Sequence, residues 1–170
     1  MSTWSDALYD TLLDAGVKQV AYVPDAGHKR LIELALANPG LKTTVLTTEE
    51  EGVALLVGAY LGGERGVLLL QSSGVGNCIN MLSMIAECRV PLLMLVTMRG
   101  EWGEFNPWQL PMSQGTAPVL TAMGVVVQRA DQISDMHEII AAAAKLAFNT
   151  SRAVAVLISQ RIIGAKAFGK

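Results

Sequence analysis

The sequence predicts a doubly wound α/β domain, in which a mostly parallel, six-stranded sheet carries helices on both faces. Strand-like apolar segments alternate with helical segments about six times along the chain, a pattern typical of parallel strands joined by right-handed crossover helices. Two of the apolar segments, Gly66–Gln71 and Pro91–Thr97, contain no charged residue. Runs of this kind are expected of strands that are buried on both faces.

The pattern of apolar residues and of Gly and Pro breaks predicts each element in turn. Strands are predicted at Gln19–Val23, Thr43–Leu46, Gly66–Gln71, Pro91–Thr97, Val125–Gln128 and Ala153–Ser159. Helices are predicted at Asp6–Ala15 and Lys29–Ala37, from Thr47 to Gly62, from Asn77 to about Glu87, and at Ala117–Met123 and Asp131–Phe148. The polar segment Arg99–Gly115, which contains three aromatic residues, is predicted to be a long functional or interfacial loop.

Length and composition limit the classes of function. The 170 residues are 51% hydrophobic and 16% charged, with a net charge of −2. We expect a single domain over residues 1–170, and the surplus of apolar residues predicts an obligate oligomer. Nucleic-acid binding is not expected, since no basic cluster is longer than Lys29-Arg30. No apolar run approaches membrane-spanning length.

The two cysteines, Cys78 and Cys88, fall on one predicted helix, too far apart to form a disulfide. The chain has only two histidines, and together with the two cysteines they form no pattern of metal ligands. The N-terminus lacks the basic and apolar regions of a signal peptide. A reduced, cytoplasmic location is therefore expected.

Three loops are predicted at the carboxyl edge of the sheet, where doubly wound folds bind their ligands: Pro24–His28, Thr47–Glu51 and Ser72–Asn77. Ser72–Asn77 follows a buried strand and fits either a tight turn or a ligand-binding loop whose N–H groups hold an anion. His28, followed by Lys29 and Arg30, fits either a solvated helix start or a cationic wall for an acidic substrate.

Glu49, Glu50 and Glu51 open the central helix, ahead of ten uncharged residues. Acidic side chains in a first turn stabilise a helix through its dipole, and this suffices to account for two of the three. A helix this apolar must be buried. The remaining glutamate is therefore expected at the edge of a dry pocket, where a carboxylate can do acid–base chemistry.

The order of these segments resembles the pyrimidine-binding (PYR) domain of thiamine-diphosphate enzymes over roughly residues 15–160. The resemblance rests on Val23-Pro24-Asp25, on Glu50-x-Gly52-x-Ala54 running into Ala59-Tyr60, on Ser73-Gly74-Val75-Gly76-Asn77 and on Val90-Pro91-Leu92-Leu93. The variant forms, with Asp25 where the family usually has glycine and Arg99-Gly100-Glu101 after the fourth strand, look most like the phosphonopyruvate and sulfopyruvate decarboxylase branch.

This resemblance implies a thiamine-diphosphate-binding fold of the PYR type and a 2-oxo acid decarboxylase that uses thiamine diphosphate. The family glutamate lies ten residues before the tyrosine, which selects Glu50, with Glu51 second. Glu50 would hydrogen-bond the N1′ atom of the aminopyrimidine, and thereby promote loss of the C2 proton from the cofactor. Pro24, Asp25, Ser73, Gly74, Val75, Gly76 and Asn77 would lie at the cofactor, and His28 beside the substrate.

Complete enzymes of this superfamily also carry a diphosphate-binding (PP) domain marked by Gly-Asp-Gly, which does not occur in these 170 residues. The resemblance therefore implies an α subunit that shares its active site with a PP-domain β subunit in a hetero-oligomer. The partner would hold the diphosphate and Mg²⁺, and this chain no metal. Two alternatives stay open: a carboligase or C–C lyase subunit, and a non-catalytic PYR-like binding module.

Overall fold

The computed structural model describes residues 4–165, so the first three and last five residues of the predicted domain lie outside the described residues. The strands are β1 (Val17–Tyr22), β2 (Lys42–Val45), β3 (Arg65–Gln71), β4 (Leu92–Thr97), β5 (Val126–Ala130) and β6 (Ala153–Ile158). The helices are α1 (Trp4–Asp14), α2 (Lys29–Ala37), α3 (Glu49–Leu61), α4 (Ser72–Cys78), α5 (Leu82–Cys88), α6 (Gln109–Ala122), α7 (Met136–Thr150) and α8 (Gln160–Ile163).

The strands form one six-stranded sheet in the order β2-β1-β3-β4-β6-β5, and every pairing in it is parallel. The predicted fold class is confirmed. Because all the strands run the same way, the segments that follow β1, β2, β3 and β4 emerge at one edge, as the sequence predicted.

The core is divided by the sheet into two apolar layers. Along β3, Val67 and Leu69 pack with α1, α2 and α7, whereas Leu68 and Leu70 pack on the opposite face with α3, α4, α5 and α6. Alternate residues of a strand point to opposite faces, so a strand with no polar residue needs helices on both sides. No helix within residues 4–165 has the length and apolar character that crossing a membrane would take.

Helix α3 is fixed against the sheet at its first turn. Glycine at position 52 is required because a Cβ there would lie 2.5 Å from Leu68 Cδ1 and 2.7 Å from Leu46 Cδ1. Glu51 closes a capping box at the start of the helix: its Oε2 accepts from the N-cap, Thr48 N, at 3.5 Å, and also from Thr47 N at 2.8 Å. These contacts set the rotation of the helix and therefore the direction of each glutamate.

Two predicted elements are wrong in their extent. The segment Arg99–Gly115 is only partly a loop, because α6 begins at Gln109 and not near Ala117. Pro111 lies in the first turn of α6. Proline is tolerated there, because the backbone N–H groups of a first turn have no acceptor within the helix. The helix predicted up to Glu87 is two helices, α4 and α5, so Cys78 and Cys88 lie on different helices, and both thiols are free.

Candidate functional site

The carboxyl ends of β1, β3 and β4 are tied together by the side chain of Asp25. Its Oδ1 accepts from Gln71 Nε2 at 2.9 Å, and its Oδ2 accepts from Thr97 Oγ1 at 2.6 Å and from Gly27 N at 3.1 Å. Gln71 ends β3 and Thr97 ends β4. Asp25 thus fixes the floor of the predicted site, and it also lines, with Pro24, a cavity of about 400 Å³.

The segment Ser73–Asn77 lies at this same edge, inside α4 and not in an open loop. Ser73 Oγ donates to Gln71 Oε1 at 2.8 Å, which joins the segment to Asp25 through one glutamine. Val75 is fully buried in the core, so neither its side chain nor its backbone is exposed at this edge. Gly76 lies beside Met112, whose Sδ would be 3.5 Å from a Cβ at that position.

Glu49 brings the second and third predicted loops together. The residue is only 8% exposed, and its Oε2 accepts from Asn77 Nδ2 at 2.7 Å. Its carboxylate packs directly on Gly74, where a Cβ would overlap it. Sequence reasoning assigned Glu49 no role, because counting back from Tyr60 gives a register but not which glutamate faces inward. The glycine opposite it was the one available sign of close approach.

Glu50 and Glu51 are both exposed, but only one of their carboxylates is engaged. Glu51 is held by the capping box. Glu50 has no hydrogen bond or ion pair with the residues that the structure describes. It shares an exposed face of α3 with Ala54 and Gly58, at the i, i+4, i+8 spacing of one helix side.

The thiol of Cys78 lies close enough to Glu49 and Glu50 for both carboxylates to affect its pKa. Burial raises the pKa of its thiol to about 12, and the negative charges of Glu49 and Glu50 add to the effect. A thiol of this kind stays protonated at neutral pH and is a poor nucleophile. The cysteine is therefore not a candidate nucleophile at this edge.

His28 lies in the interior, with no exposed surface. Its Nε2 donates to the carbonyl of Leu95 at 3.0 Å, and its Nδ1 is buried without a partner among the described residues. Burial lowers the pKa of the ring despite the opposing charge of Asp25, so the ring is neutral at pH 7. Both alternatives left open for His28 are wrong: the buried ring is not at a solvated helix start, and it forms no cationic wall, since Lys29 pairs with Glu33 and Arg30 with Asp6.

A second polar cluster, which we call the clamp, joins the loop after β4 to the ends of β5 and β6. Arg99 pairs with Glu104 at 2.7 Å, Gln160 Nε2 donates to Glu104 at 3.0 Å, and Glu101 pairs with Arg129 at 2.7 Å. Arg99 and Glu101, although two residues apart in the sequence, have different partners. Hydrogen bonds from Arg99 hold the pKa of Glu104 down to about 2.

The aromatic side chains of this loop face outward. Trp102 is 52% exposed, Phe105 38% and Trp108 84%, and Arg161 stacks over the Trp102 ring.

Within residues 4–165, no group of three or more His, Cys, Asp or Glu side chains is arranged to hold a metal ion.

Comparison with known proteins matches residues 2–109 to the family described as thiamine pyrophosphate enzyme, N-terminal TPP binding domain. The sulfopyruvate decarboxylase subunit alpha of Methanothermobacter thermautotrophicus is 32% identical over 155 residues, which cover 91% of this chain and 94% of that protein. The sulfopyruvate decarboxylase of Methanosarcina acetivorans is 29% identical, and the chain spans 40% of its length.

A solved structure, the 2-oxoglutarate:ferredoxin oxidoreductase from Magnetococcus marinus, superposes with a TM-score of 0.78. The match covers 95% of this chain and 29% of the longer one. At 17% sequence identity this likeness shows a shared fold alone.

The family match includes the three segments that meet at the carboxyl edge: the one after β1, the start of α3 and the whole of α4. It confirms the resemblance read from Val23-Pro24-Asp25, from Glu50 onward and from Ser73–Asn77. By this match, and by its identity to the alpha subunit over nearly its whole length, the chain belongs to the family of thiamine pyrophosphate enzymes, as an N-terminal TPP binding domain.

Proposed function

We propose that this chain is the α subunit of a thiamine-diphosphate-dependent 2-oxo acid decarboxylase, and that a separate PP-domain β subunit completes its active site. The observation that carries the proposal is Glu50. In a chain of this family, it offers a carboxylate without a partner among the described residues, at the edge where Asp25, Glu49 and Asn77 converge.

The three glutamates divide their roles by their contacts. Glu51 caps α3, and Glu49 is held by Asn77 against Gly74. Each of these carboxylates is already engaged. Glu50 is left to accept or donate a hydrogen bond at a ring nitrogen, which agrees with the register counted from Tyr60.

The residues present fit the aminopyrimidine end of the cofactor. The charge of Glu50 acts on Cys78 in α4, and the preceding residues of that helix, from Ser73 to Asn77, are mostly small or polar. Small residues permit the close approach that an aromatic ring needs. Pro24 and Asp25 border the same edge. We assign the diphosphate and Mg²⁺ to the partner, because the chain contains no Gly-Asp-Gly segment.

The partner is supported by the surface around Glu50. Ala54 and Gly58 extend the exposed face of α3, and a Cβ at Gly58 would meet no atom within 4 Å. Small residues let another backbone approach closely. A chain docked here would exclude water from Glu50 and strengthen its hydrogen bond to the cofactor.

The relatives also support two separate subunits, this chain and one that carries the PP domain. The chain matches a protein named as an alpha subunit over 94% of its length, but it spans only 40% of the protein from M. acetivorans named as sulfopyruvate decarboxylase. The longer chain has room for a second domain, which we propose is a separate β subunit here. The hetero-oligomer would be cytoplasmic, where its free thiols Cys78 and Cys88 stay reduced.

The residues of this chain would act by holding and orienting. Thiamine diphosphate, when bound, supplies the electron sink for the electron pair left on the 2-oxo acid as carbon dioxide departs. Glu50 would hold a proton at the pyrimidine nitrogen. Asn77 keeps Glu49 turned away from that position, and Asp25 keeps the ends of β1, β3 and β4 in register beneath it. The substrate class is a small 2-oxo acid, with sulfopyruvate as the first to try, because the M. thermautotrophicus protein is named for it.

The test is to isolate the chain with its native partner, and to compare carbon dioxide release from sulfopyruvate by the wild type, Glu50→Gln and Glu51→Gln. Removal of a proton-transfer group costs about 10²–10⁴ in rate. Glu50→Gln should lose at least about 10²-fold in kcat with the assembly intact.

Glu51→Gln is the matched control, because it lies one residue away and should only weaken the helix cap by about 1 kcal/mol. Retained turnover in Glu50→Gln would end the assignment of this residue. Failure of the native complex to contain thiamine diphosphate would leave only a binding module of the same fold.

A further inference from the structure

A cavity of about 520 Å³ opens at the amino edge of the sheet, opposite the candidate site. It is bounded by Arg89, which follows α5, and by Ser151 and Arg152, which lie between α7 and β6. Six-residue strands span about 20 Å, so this cavity lies roughly that far from Asp25 and Glu49. It is separate from the edge at which we place the cofactor.

The charges of this cavity are unbalanced. Its lining contains two arginines, Arg89 and Arg152, and no acidic residue. Neither arginine side chain has a hydrogen bond, an ion pair or an aromatic contact with any residue between 4 and 165. The chain as a whole carries a net charge of −2, so this local surplus of positive charge is not a property of the surface in general.

The other arginines show how unusual this is. All of them have partners, as follows: Arg30 with Asp6, Arg65 with Phe148, Arg99 with Glu104, Arg129 with Glu101, and Arg161 with Trp102. The two arginines without partners among the described residues therefore line one and the same cavity.

The backbone holds two side chains at this cavity in a conformation that favours glycine. Arg89 and Ser151 both have φ of 53°, and they are the two non-glycine residues with positive φ in the described part of the chain. Each follows the end of a helix, a position that glycine usually fills. L-residues other than glycine are strained in the left-handed region, so arginine and serine stand here where glycine would fit with less strain.

The remaining walls are apolar and include Leu82, Ile85 and Met123. Sites for small molecules typically combine a volume of about 300–1,000 Å³ and apolar walls with a few polar groups. We propose that this cavity binds a small organic anion, a carboxylate, sulfonate or phosphate with an apolar portion. Arg89, Arg152 and the Ser151 hydroxyl would hold the anion, since guanidinium groups suit such groups in bidentate geometry.

The alternative role of the two arginines is only to offset the negative ends of α5 and α7. That role changes stability but predicts no ligand. The experiment therefore measures binding and folding separately, in the purified full-length chain, with phenyl phosphate as the probe.

Isothermal titration calorimetry should show one phenyl phosphate per chain. Arg89→Gln and Arg152→Gln should each weaken the binding at least about tenfold, as loss of a charged hydrogen-bond donor does. Arg161→Gln is the matched control, because it removes an arginine from the opposite edge of the sheet and should bind as the wild type does. Arg89→Lys keeps the charge without the planar fork and should fall between the two.

The thermal midpoint of each variant is measured in parallel. If Arg89→Gln does not fold, Arg89→Lys and Arg152→Gln carry the test. The absence of saturable binding at millimolar phenyl phosphate would overturn the proposal. Equal affinity in the wild type and in the arginine variants would also overturn it, whether or not their thermal midpoints fall. That result is expected if the arginines only offset the negative ends of α5 and α7.

Discussion

Two polar clusters lie at the carboxyl edge of the same sheet, and they differ in whether their bonding is complete. In the clamp, Glu104 is bonded by both Arg99 and Gln160, and Arg129 is paired with Glu101. At the candidate site, by contrast, Glu50 lacks a partner among the described residues, and Nδ1 of His28 is buried without one.

The difference shows that a displaced pKa is a poor guide to function by itself. Glu104 has a pKa lowered to about 2, yet its displacement follows from the ion pair that orders a loop. Ion pairs that serve structure shift pKa values as active sites do. Glu50 differs from the clamp residues in that its carboxylate has no partner among the described residues and lies beside a surface that a partner chain can cover.

The largest effect expected from this comparison is on stability, in Glu104→Gln. The side chains of Arg99 and Glu104 are 9% and 3% exposed, so the substitution leaves a buried guanidinium without its counter-charge. Breaking a buried pair costs about 3–5 kcal/mol. Urea unfolding of the purified chain should show a loss of that size, while the surviving assembly keeps its affinity for thiamine diphosphate.

Asp131→Asn is the control for the clamp, because Asp131 is 56% exposed where it meets Arg129, and exposed pairs contribute about 0–1 kcal/mol.

Acid should lower the stability of the wild type in the same way as Glu104→Gln does. Since the folded pKa of Glu104 is about 2, its contribution is intact above about pH 4.5 and is lost as the pH falls from there through about 2. Equal stability of Glu104→Gln and the wild type would show that the clamp orders nothing.

The second largest effect is expected in Gly74→Ala, which tests the contact between Glu49 and α4 through stability and cofactor affinity. A Cβ on Gly74 would overlap the Glu49 carboxylate, which must then leave Asn77. Overpacking of this kind costs about 1–3 kcal/mol, and the affinity for thiamine diphosphate should fall with it. Both are measured by thermal unfolding with and without the cofactor.

Gly76→Ala is the matched control, since its Cβ would meet only Met112 Sδ, at an ordinary 3.5 Å. Alanine favours helix over glycine by about 1 kcal/mol, so this variant should be as stable as the wild type or more so. If Gly74→Ala behaves like Gly76→Ala, Glu49 is not held as the structure shows.

The fold was predictable because its central strands are buried on both faces. In a chain of this length, an uninterrupted apolar run such as Leu92–Thr97 indicates a central strand of a parallel sheet, and parallel strands bring their following loops to one edge. The topology predicted that the loops containing Asp25, Asn77 and the glutamates meet at one edge. The family resemblance then named these residues as candidates.

The orientation of single side chains was not predictable. Successive helical residues differ by about 100° in direction, so only packing on Gly52 and Gly74 decides that Glu49 turns inward and Glu50 outward. His28 was misread because the charged residues beside it suggested solvent. The bond from Gln160 to Glu104 was not predictable either, because the two residues are 56 positions apart in the sequence.

The smallest expected effect is the pH dependence that His28 contributes. Burial lowers the pKa of the folded ring below its ordinary value of 6.5, so in mild acid the unfolded chain binds a proton that the folded chain does not. Stability should therefore fall as the pH drops below about 6.5, by up to about 1.4 kcal/mol per pH unit, until the folded pKa is reached. Urea unfolding between about pH 7.5 and 5.5 measures this slope.

His28→Gln keeps a side-chain amide that can donate to the Leu95 carbonyl, but it cannot titrate. This variant should lose the His28 part of the slope. His137→Gln is the matched control, because it removes the chain's other histidine and leaves His28 in place. An unchanged slope in His28→Gln would mean that the folded ring binds its proton as readily as the unfolded one. Burial would then not lower the pKa of His28, and the ring would not differ from the clamp by being an unsatisfied, neutral group.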